Sequence, residues 1–293
     1  MLVFSGSSNK NLAKRLAKRL RVKLGELELS SFANNELRIR VSEKNIGNKA
    51  IIVQSLSEPV NHHLVELLLI SDALKRLGVK EVTAVIPYIG YSKQDKIFRE
   101  GEPLSIEVIV KILDTAGFKK IILFDLHNPN SIELFKTPIV NLLARSLFLK
   151  YFKIDKNTIV VAPDAGGVKS SNSFAKELGV GVAYINKQRD LETGEITIKG
   201  INRTVRGKNA VIIDDMLATG GTLVETAKFL KKQGVQSIKV GVTHHLYVKG
   251  TQEKIDKSEI DELIVTDTIE QKRKSRKLKV ISVIELIAKE IGD

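Results

Sequence analysis

The chain contains no cysteine. Disulfide staples and thiol catalysis are therefore excluded, and a zinc site would have to rely on histidine and carboxylates. Aromatic residues are scarce at 5%, and none interleave with cations in the pattern that stacks nucleic-acid bases. No apolar run reaches the length of a membrane span. The opening MLVFSGSSNKN enters a strand and a turn without the layout of a signal peptide. The expectation is a cytoplasmic protein whose partners are neither nucleic acid nor membrane. Acidic residues are the minority, 34 against 47 Lys and Arg, for a net charge of +13 over 293 residues. That excess suits phosphorylated small molecules, nucleic acid or simply a lysine-rich surface. A hydrophobic fraction of 43% beside 28% charged residues supports a globular core rather than disorder.

What is present centres on residues 208–230, KNAVIIDDMLATGGTLVETAKFL. The apolar run 210–213 has no alternation, the habit of a parallel strand covered on both faces. Asp214 and Asp215 follow it. A loop of small residues, Ala218, Thr219, Gly220, Gly221 and Thr222, leads into Leu223, Ala227 and Leu230 at helical spacing, with Gly234 as a stop. Strand, loop and helix place free backbone N–H groups and a helix dipole at one point, which suits a phosphate. The two carboxylates repel phosphate but accept hydrogen bonds from sugar hydroxyls or hold Mg²⁺. Cradle and diacid together suggest a sugar phosphate; the bland alternative is a turn with a solvated acidic pair. There is no GxxxxGK[ST], so this is not a Walker loop.

The chain also repeats itself. At a shift of 158, Leu2-Val3-Phe4 lies on Val160-Val161-Ala162, and Ala17-Lys18 on Ala175-Lys176. With a short gap, Lys49–Val53 resembles Lys208–Ile212, and Leu64-Val65-Glu66 resembles Leu223-Val224-Glu225. Each half alternates strands and helices, which predicts an α/β protein of two duplicated doubly wound domains with mostly parallel sheets. Domain one is expected over 1–141, with strands near 2–5, 25–29, 51–54, 82–86 and 121–124. Domain two is expected over 142–280, with strands near 158–162, 181–185, 210–213, 238–242 and 262–265. A short closing helix, 281–293, is expected to belong with domain one.

In such sheets ligands sit beyond the C-terminal strand ends, and motifs occur there. Ser5–Asn9 reads as a capping turn. Phe32-Ala33-Asn34-Asn35-Glu36 offers a ring and polar groups to an adenine, or is a hairpin turn. Lys93 and Gln94 lie in a loop that could grip a polyphosphate, or is simply solvated. His127 could ligate a metal or act as acid or base, or be structural. Asp164 stands before Gly166 and Gly167 as a candidate metal carboxylate, or as part of a plain turn. Lys187 and Arg189 lead into a polar hairpin, either a lid bringing charge to phosphoryl transfer or an exposed basic turn. The basic run 272–277 reads as a solvated loop.

The ordered set FSGSSNKNLA, FANNE, PYIGYSKQDK, FDLHN, PDAGG, NKQRD and IDDMLATGGT resembles the ribose-phosphate pyrophosphokinase (phosphoribosyl pyrophosphate synthetase) family nearly end to end. That resemblance implies two phosphoribosyltransferase-like domains and a diphosphoryl transfer from ATP to ribose 5-phosphate. It implies that Ala218, Thr219, Gly220, Gly221 and Thr222 cradle the 5-phosphate while Asp214 and Asp215 hold the ribose. Lys93 and Gln94 would contact ATP; Phe32, Asn34 and Glu36 would receive adenine from a neighbouring subunit of a homo-oligomer. His127 and Asp164 would hold Mg²⁺, and Lys187 and Arg189 would be the catalytic pair of a mobile loop. Asn34 stands where the family usually has Asp, Lys93 where it has Arg, and Ala218 where it has Asp. A phosphoribosyltransferase and a non-catalytic regulatory homologue are the competing readings.

Overall fold

The computed structural model describes residues 1–152, 154–189 and 196–292. The chain divides into two compact units: Met1–Leu143 with Asp267–Glu270 and Ser282–Asp293, and Ala144–Thr266 with Gln271–Ile281. The change of unit falls at 143/144 rather than 141/142. Residues 267–270, expected in the second half, lie in unit one.

Unit one runs β1 (Leu2–Ser5), α1 (Lys10–Leu20), β2 (Leu27–Ser31), β3 (Leu37–Val41), β4 (Lys49–Val53), α2 (Val60–Arg76), β5 (Glu81–Val85), α3 (Ser105–Thr115), β6 (Lys120–Phe124) and β7 (Ile139–Leu142), with a 3-10 turn at Pro129–Leu134. Its main sheet has the order β1-β4-β5-β6-β7, and every pair is parallel. The strands are short buried runs such as KAIIV and KIILF, because helices cover both faces and leave no polar side to alternate. Phe4, Ile52, Leu67, Ile70, Ala84 and Leu123 meet in its core. The β2–β3 hairpin stands apart as a two-stranded antiparallel sheet. Its half-buried Leu27, Leu29, Ile39 and Val41 pack against the core, while intervening residues point outward.

Unit two runs α4 (Arg145–Phe148), β8 (Thr158–Ala162), α5 (Val168–Leu178), β9 (Gly181–Arg189), β10 (Ile196–Ile201), β11 (Asn209–Leu217), α6 (Gly221–Lys232), β12 (Ser237–His245), α7 (Thr251–Lys257), β13 (Glu262–Thr266) and β14 (Leu278–Ile281). The sheet order is β10-β9-β8-β11-β12-β13-β14, parallel except for the β9–β10 hairpin. Both sheets therefore have the parallel α/β architecture expected from the sequence. Val161, Ile212, Leu223, Ala227, Val240 and Leu263 form its separate core. Burying such a side chain contributes about 1.5–3 kcal/mol, so each unit has its own source of stability.

The final helix α8 (Ile284–Gly292) returns to unit one. Arg19 of α1 grips the Glu285 carboxylate through two guanidinium nitrogens, and the Lys120 ammonium meets Glu290 at 2.7 Å. The segment 267–270 is fixed by polar contacts. Asn9 Nδ2 donates to the Asp267 carbonyl at 2.7 Å, and the Ser55 hydroxyl donates to the Thr268 carbonyl. The Asp267 carboxylate accepts from the Val283 amide at 2.8 Å. Asn9 also caps α1, its side-chain oxygen accepting from the Leu12 amide, in keeping with the capping turn read from Ser5–Asn9.

Candidate active site

The C-terminal ends of β8, β9 and β11 bring the chemistry of unit two together. β11 continues past Ile213 to Leu217, in parallel register with β12 as far as His245. Asp214 and Asp215 therefore belong to the strand itself, which fixes their backbone; both are half-buried. The Asp215 amide donates to Asp214 Oδ1 at 2.9 Å. Burial first, and then the charge of Asp215, push the Asp214 carboxyl well above the usual carboxylate range. A pair so crowded calls for a cation or for hydroxyl donors.

Ala218 and Thr219 then turn the chain into α6. Gly220 is the N-cap residue, with φ 75° and no side-chain cap over the first turn. Only glycine takes that left-handed conformation without cost. The first amides of α6 have no intrahelical acceptor, so they and the Thr219 and Thr222 hydroxyls can bind an anion. Thr251, at the start of α7, holds the loop from behind: its hydroxyl donates to the Ala218 carbonyl at 2.6 Å.

Asp164 lies in the turn between β8 and α5, where its Oδ1 accepts from the Gly167 amide at 3.0 Å. Lys187 departs from expectation. It does not follow a strand ending at Ile185 but lies within β9, half-buried. Its ammonium donates to Thr226 Oγ1 on α6 at 2.9 Å. Burial lowers the pKa of that ammonium, while Asp164 and Asp214 oppose the shift. Packing does constrain this residue, contrary to the reading of a loose basic turn. The Arg189 side chain and the hairpin tip 190–195 lie outside the described residues.

In unit one, Phe32, Asn34 and Glu36 occupy the tip of the β2–β3 hairpin, all exposed, with Phe32 at 51%. The Arg38 guanidinium lies 5.7 Å from the Phe32 ring centre. Asn34 Oδ1 accepts from the Glu36 amide at 3.2 Å, so this side chain serves the turn whatever else it contacts. Lys93 is exposed. Gln94 carries the start of α3: its Oε1 accepts from the Ser105 hydroxyl and its carbonyl from the Ile106 amide. His127 is exposed in the loop after β6, beside Asn128, whose side-chain amide donates to Asp95 at 2.9 Å.

Thr226 and Thr251 escaped the sequence reading. Thr226 sits on the apolar stripe of α6 with Leu223, Ala227 and Leu230, and the single signal was a hydroxyl where an aliphatic group is usual. The sequence gives no reason to assign His245 a role and does not single out Tyr247. Their rings stack at 4.0 Å, the Tyr247 amide donates to His245 Nδ1, and burial drives the His245 pKa down to about 4 against the opposing hydrogen bond with Gln252.

A parallel sheet in which a buried strand ends in two acids, followed by an uncapped glycine turn and a helix, defines unit two as a phosphoribosyltransferase-type domain. Residues 1–117 match the N-terminal domain of ribose phosphate pyrophosphokinase, and residues 130–273 the phosphoribosyl transferase domain. The ribose-phosphate pyrophosphokinase of Aquifex aeolicus is 36% identical over 293 residues, covering 99% of this chain and 94% of the relative. That of Fusobacterium nucleatum is 34% identical over 295 residues, covering 99% and 93%. The crystal structure of phosphoribosylpyrophosphate synthetase from Mycobacterium smegmatis matches with a TM-score of 0.91 at 32% identity, over 99% of this chain and 97% of that one. The chain belongs to the ribose-phosphate pyrophosphokinase family.

Proposed function

We propose that the protein transfers the β,γ-diphosphoryl group of ATP to the C1 hydroxyl of ribose 5-phosphate, giving phosphoribosyl pyrophosphate and AMP. The observation that carries this reading is a cation, Lys187, anchored on Thr226 of α6, the helix whose N-terminus is uncapped, within the electrostatic influence of Asp164 and Asp214. A sugar phosphate has its place there, and a lysine is at hand for charge developing on a transferred diphosphoryl group. The family match over the whole chain, N-terminal domain included, favours the synthetase over a single-domain phosphoribosyltransferase.

Ala218–Thr222 receive the 5-phosphate, and Asp214 and Asp215 accept hydrogen bonds from ribose hydroxyls, which orients C1. Lys187 and Arg189 act on the diphosphoryl group. Lys93 and Gln94 contact ATP. Phe32, Asn34 and Glu36 receive the adenine of a neighbouring subunit, a reading supported by the exposure of Phe32 at a hairpin tip.

Mg²⁺ fits the donor chemistry. Among the described residues no group of three or more His, Cys, Asp or Glu could hold a metal by itself. Mg²⁺ is commonly held by one or two carboxylates together with substrate phosphates, and Asp164 and His127 are each proposed as a protein ligand. When bound, the ion neutralises phosphate charge. A cytoplasmic location accords with this chemistry, and none of the described helices is long and apolar enough to cross a membrane.

Incubation with ATP, Mg²⁺ and ribose 5-phosphate tests the proposal. AMP should appear in step with phosphoribosyl pyrophosphate. ADP in place of AMP, or no nucleotide product, would overturn it. A phosphoribosyltransferase would instead consume phosphoribosyl pyrophosphate and a base, releasing pyrophosphate.

A further inference from the structure

Leu217 ends β11, and the segment after β12 holds this strand end from behind. The Leu246 amide donates to the Leu217 carbonyl at 2.9 Å. The register with β12 stops there, and the next carbonyl, that of Ala218, is taken by a side chain: the Thr251 hydroxyl donates to it at 2.6 Å. Thr251 is fully buried, where a hydroxyl needs a partner, and its own amide is fixed on the Val248 carbonyl at 3.0 Å. The side of Gly220 on which a β-carbon would stand faces the Thr251 methyl at 3.4 Å and the Ile255 side chain at 3.6 Å. Thr219, between Ala218 and Gly220, is exposed. One side of the turn is therefore packed on α7, and the other is open.

The planarity of the peptide turns this grip into a direction. In a trans peptide the carbonyl and the following N–H point to opposite sides. A hydroxyl that draws the Ala218 carbonyl toward α7 therefore aims the Thr219 N–H away from α7. Among the described residues that N–H has no acceptor. Given Ala218–Thr222 as the phosphate cradle, a reading on which this role rests, we propose that Thr251 is a positioning residue for the sugar phosphate: by holding the Ala218 carbonyl it presents the Thr219 N–H to the 5-phosphate. Without the hydroxyl, the Ala218 carbonyl loses its donor. The peptide is then free to rotate, which withdraws the N–H and turns a partial negative charge toward the anion.

Calorimetric titration of the full chain with ribose 5-phosphate, in Mg²⁺ and a non-hydrolysable ATP analogue, tests this without turnover. Thr251→Val keeps the shape and removes the donor. It should weaken ribose 5-phosphate by about tenfold, the scale of one hydrogen bond to a charged group. Thr251→Ser restores the hydroxyl and should bind close to wild type. Affinity for the ATP analogue, titrated alone, should be the same in all three, which a general loosening of the fold would not give. If Thr251→Val does not fold, the wild type still decides: exchange of the Thr219 amide, followed by NMR, should be fast in the substrate-free protein and slowed by ribose 5-phosphate. Undiminished affinity in a folded Thr251→Val, no recovery in Thr251→Ser, an equal loss of analogue affinity, or a Thr219 amide left unprotected would each overturn the proposal. A wild type that binds no ribose 5-phosphate would overturn the cradle reading and this role with it. A wild type that binds it but forms no AMP would overturn the synthetase reading alone.

Discussion

Unit one and unit two share one plan with opposite chemistry at the same place. In unit two, β11 ends in Asp214 and Asp215 and passes through Gly220 into the uncapped helix α6. In unit one, the matching strand β4 is followed by Gln54 and Ser55, and α2 begins after Pro59 with no glycine turn. Gln54 is fully buried, and its own neighbours satisfy it. Its Oε1 accepts from the Ser8 hydroxyl at 2.7 Å, and its Nε2 donates to Glu66 Oε1 at 2.6 Å. Glu66 also accepts from the Ser7 amide at 2.6 Å. A β-carbon on Gly6 would come within 2.2 Å of Gln54 Oε1, so the Gln54 side chain packs directly against the Gly6 backbone. The hairpins compare in the same way. β2–β3 follows α1 and β9–β10 follows α5, each the helix after its unit's first strand, but β9–β10 extends the main sheet whereas β2–β3 leaves it. One copy of the fold keeps an open polar strand end, and the other closes it with an amide network and sends its hairpin outward.

The strongest test of this contrast removes the cation from the open strand end. Lys187→Ala should lower kcat by about 10³–10⁵, the worth of a cationic group in phosphoryl transfer, with ATP affinity nearly intact. Steady-state kinetics with both substrates varied would decide it. A kcat within about tenfold of wild type, under 1.4 kcal/mol, would take Lys187 out of the mechanism and leave unit two no more catalytic than unit one.

The closed copy can be broken at Gln54. Gln54→Glu would set two buried carboxyls at hydrogen-bond distance, with the His62 imidazole 3.5 Å from the other oxygen of Glu66 rather than between them, and one must take a proton or the fold must yield. Its pKa in the folded state would lie above the unfolded value, so the destabilisation should grow as pH rises above about 4. At neutral pH the loss should be about 3 kcal/mol, measured by urea unfolding. An unchanged midpoint at pH 7.5 would mean that the network is open to solvent or to a counter-ion.

How much of this could be read in advance depended on where the forces lie. Ile51-Ile52-Val53 and Val211-Ile212-Ile213 were legible because a strand covered on both faces is apolar without a break. β3 was missed although Arg38 and Arg40 alternate with Leu37, Ile39 and Val41 at the period of a half-buried strand, because only five residues carry the pattern. The short strands β7 and β14 were missed as well, since most of their residues are only partly buried. Asp214, Asp215 and Gly220 were legible because charge and backbone freedom have few cheap alternatives at a strand end. Thr226 reads as an ordinary member of a helix stripe, and its contact with Lys187 is set by tertiary packing. The return of 267–270 to unit one depends on hydrogen bonds from Asn9 and Ser55, more than two hundred residues away in sequence, and no local pattern announces them.

A smaller effect is expected from giving unit two the chemistry of unit one. Asp214→Asn replaces a crowded carboxyl with an amide like that of Gln54. Because burial and Asp215 raise the folded-state pKa of Asp214 above its unfolded value, ionisation favours the unfolded chain. Stability of the substrate-free protein therefore falls as pH rises from about 4 through the raised value. The variant should be more stable than wild type at pH 7.5 in EDTA, with a higher Tm, and the difference should close below about pH 4. Affinity for ribose 5-phosphate should fall at the same time. A variant that is less stable at pH 7.5 would show that Asp214 is already neutralised, by Lys187 or by a proton, and that the contrast with Gln54 carries no energetic penalty.

The smallest effect is expected at the outward hairpin of unit one. Asn34 accepts the Glu36 amide through Oδ1, and an aspartate can make the same bond. Asn34→Asp should therefore change stability by less than about 0.5 kcal/mol, because the site is exposed and the turn keeps its acceptor. What changes is the outer edge of the side chain, where an amide donor is replaced by a second carboxylate acceptor. The exocyclic amine of adenine is a donor, whereas guanine presents a carbonyl oxygen at that position. If this tip reads the base, the variant should favour ATP over GTP more strongly than wild type, by a few-fold, since the contact is solvent-exposed and a single hydrogen bond there is worth about 1 kcal/mol. The ratio of kcat/KM for the two nucleotides measures it directly. An unchanged ratio with an unchanged Tm would assign Asn34 to the turn alone and leave Phe32 as the tip's contribution to a bound base.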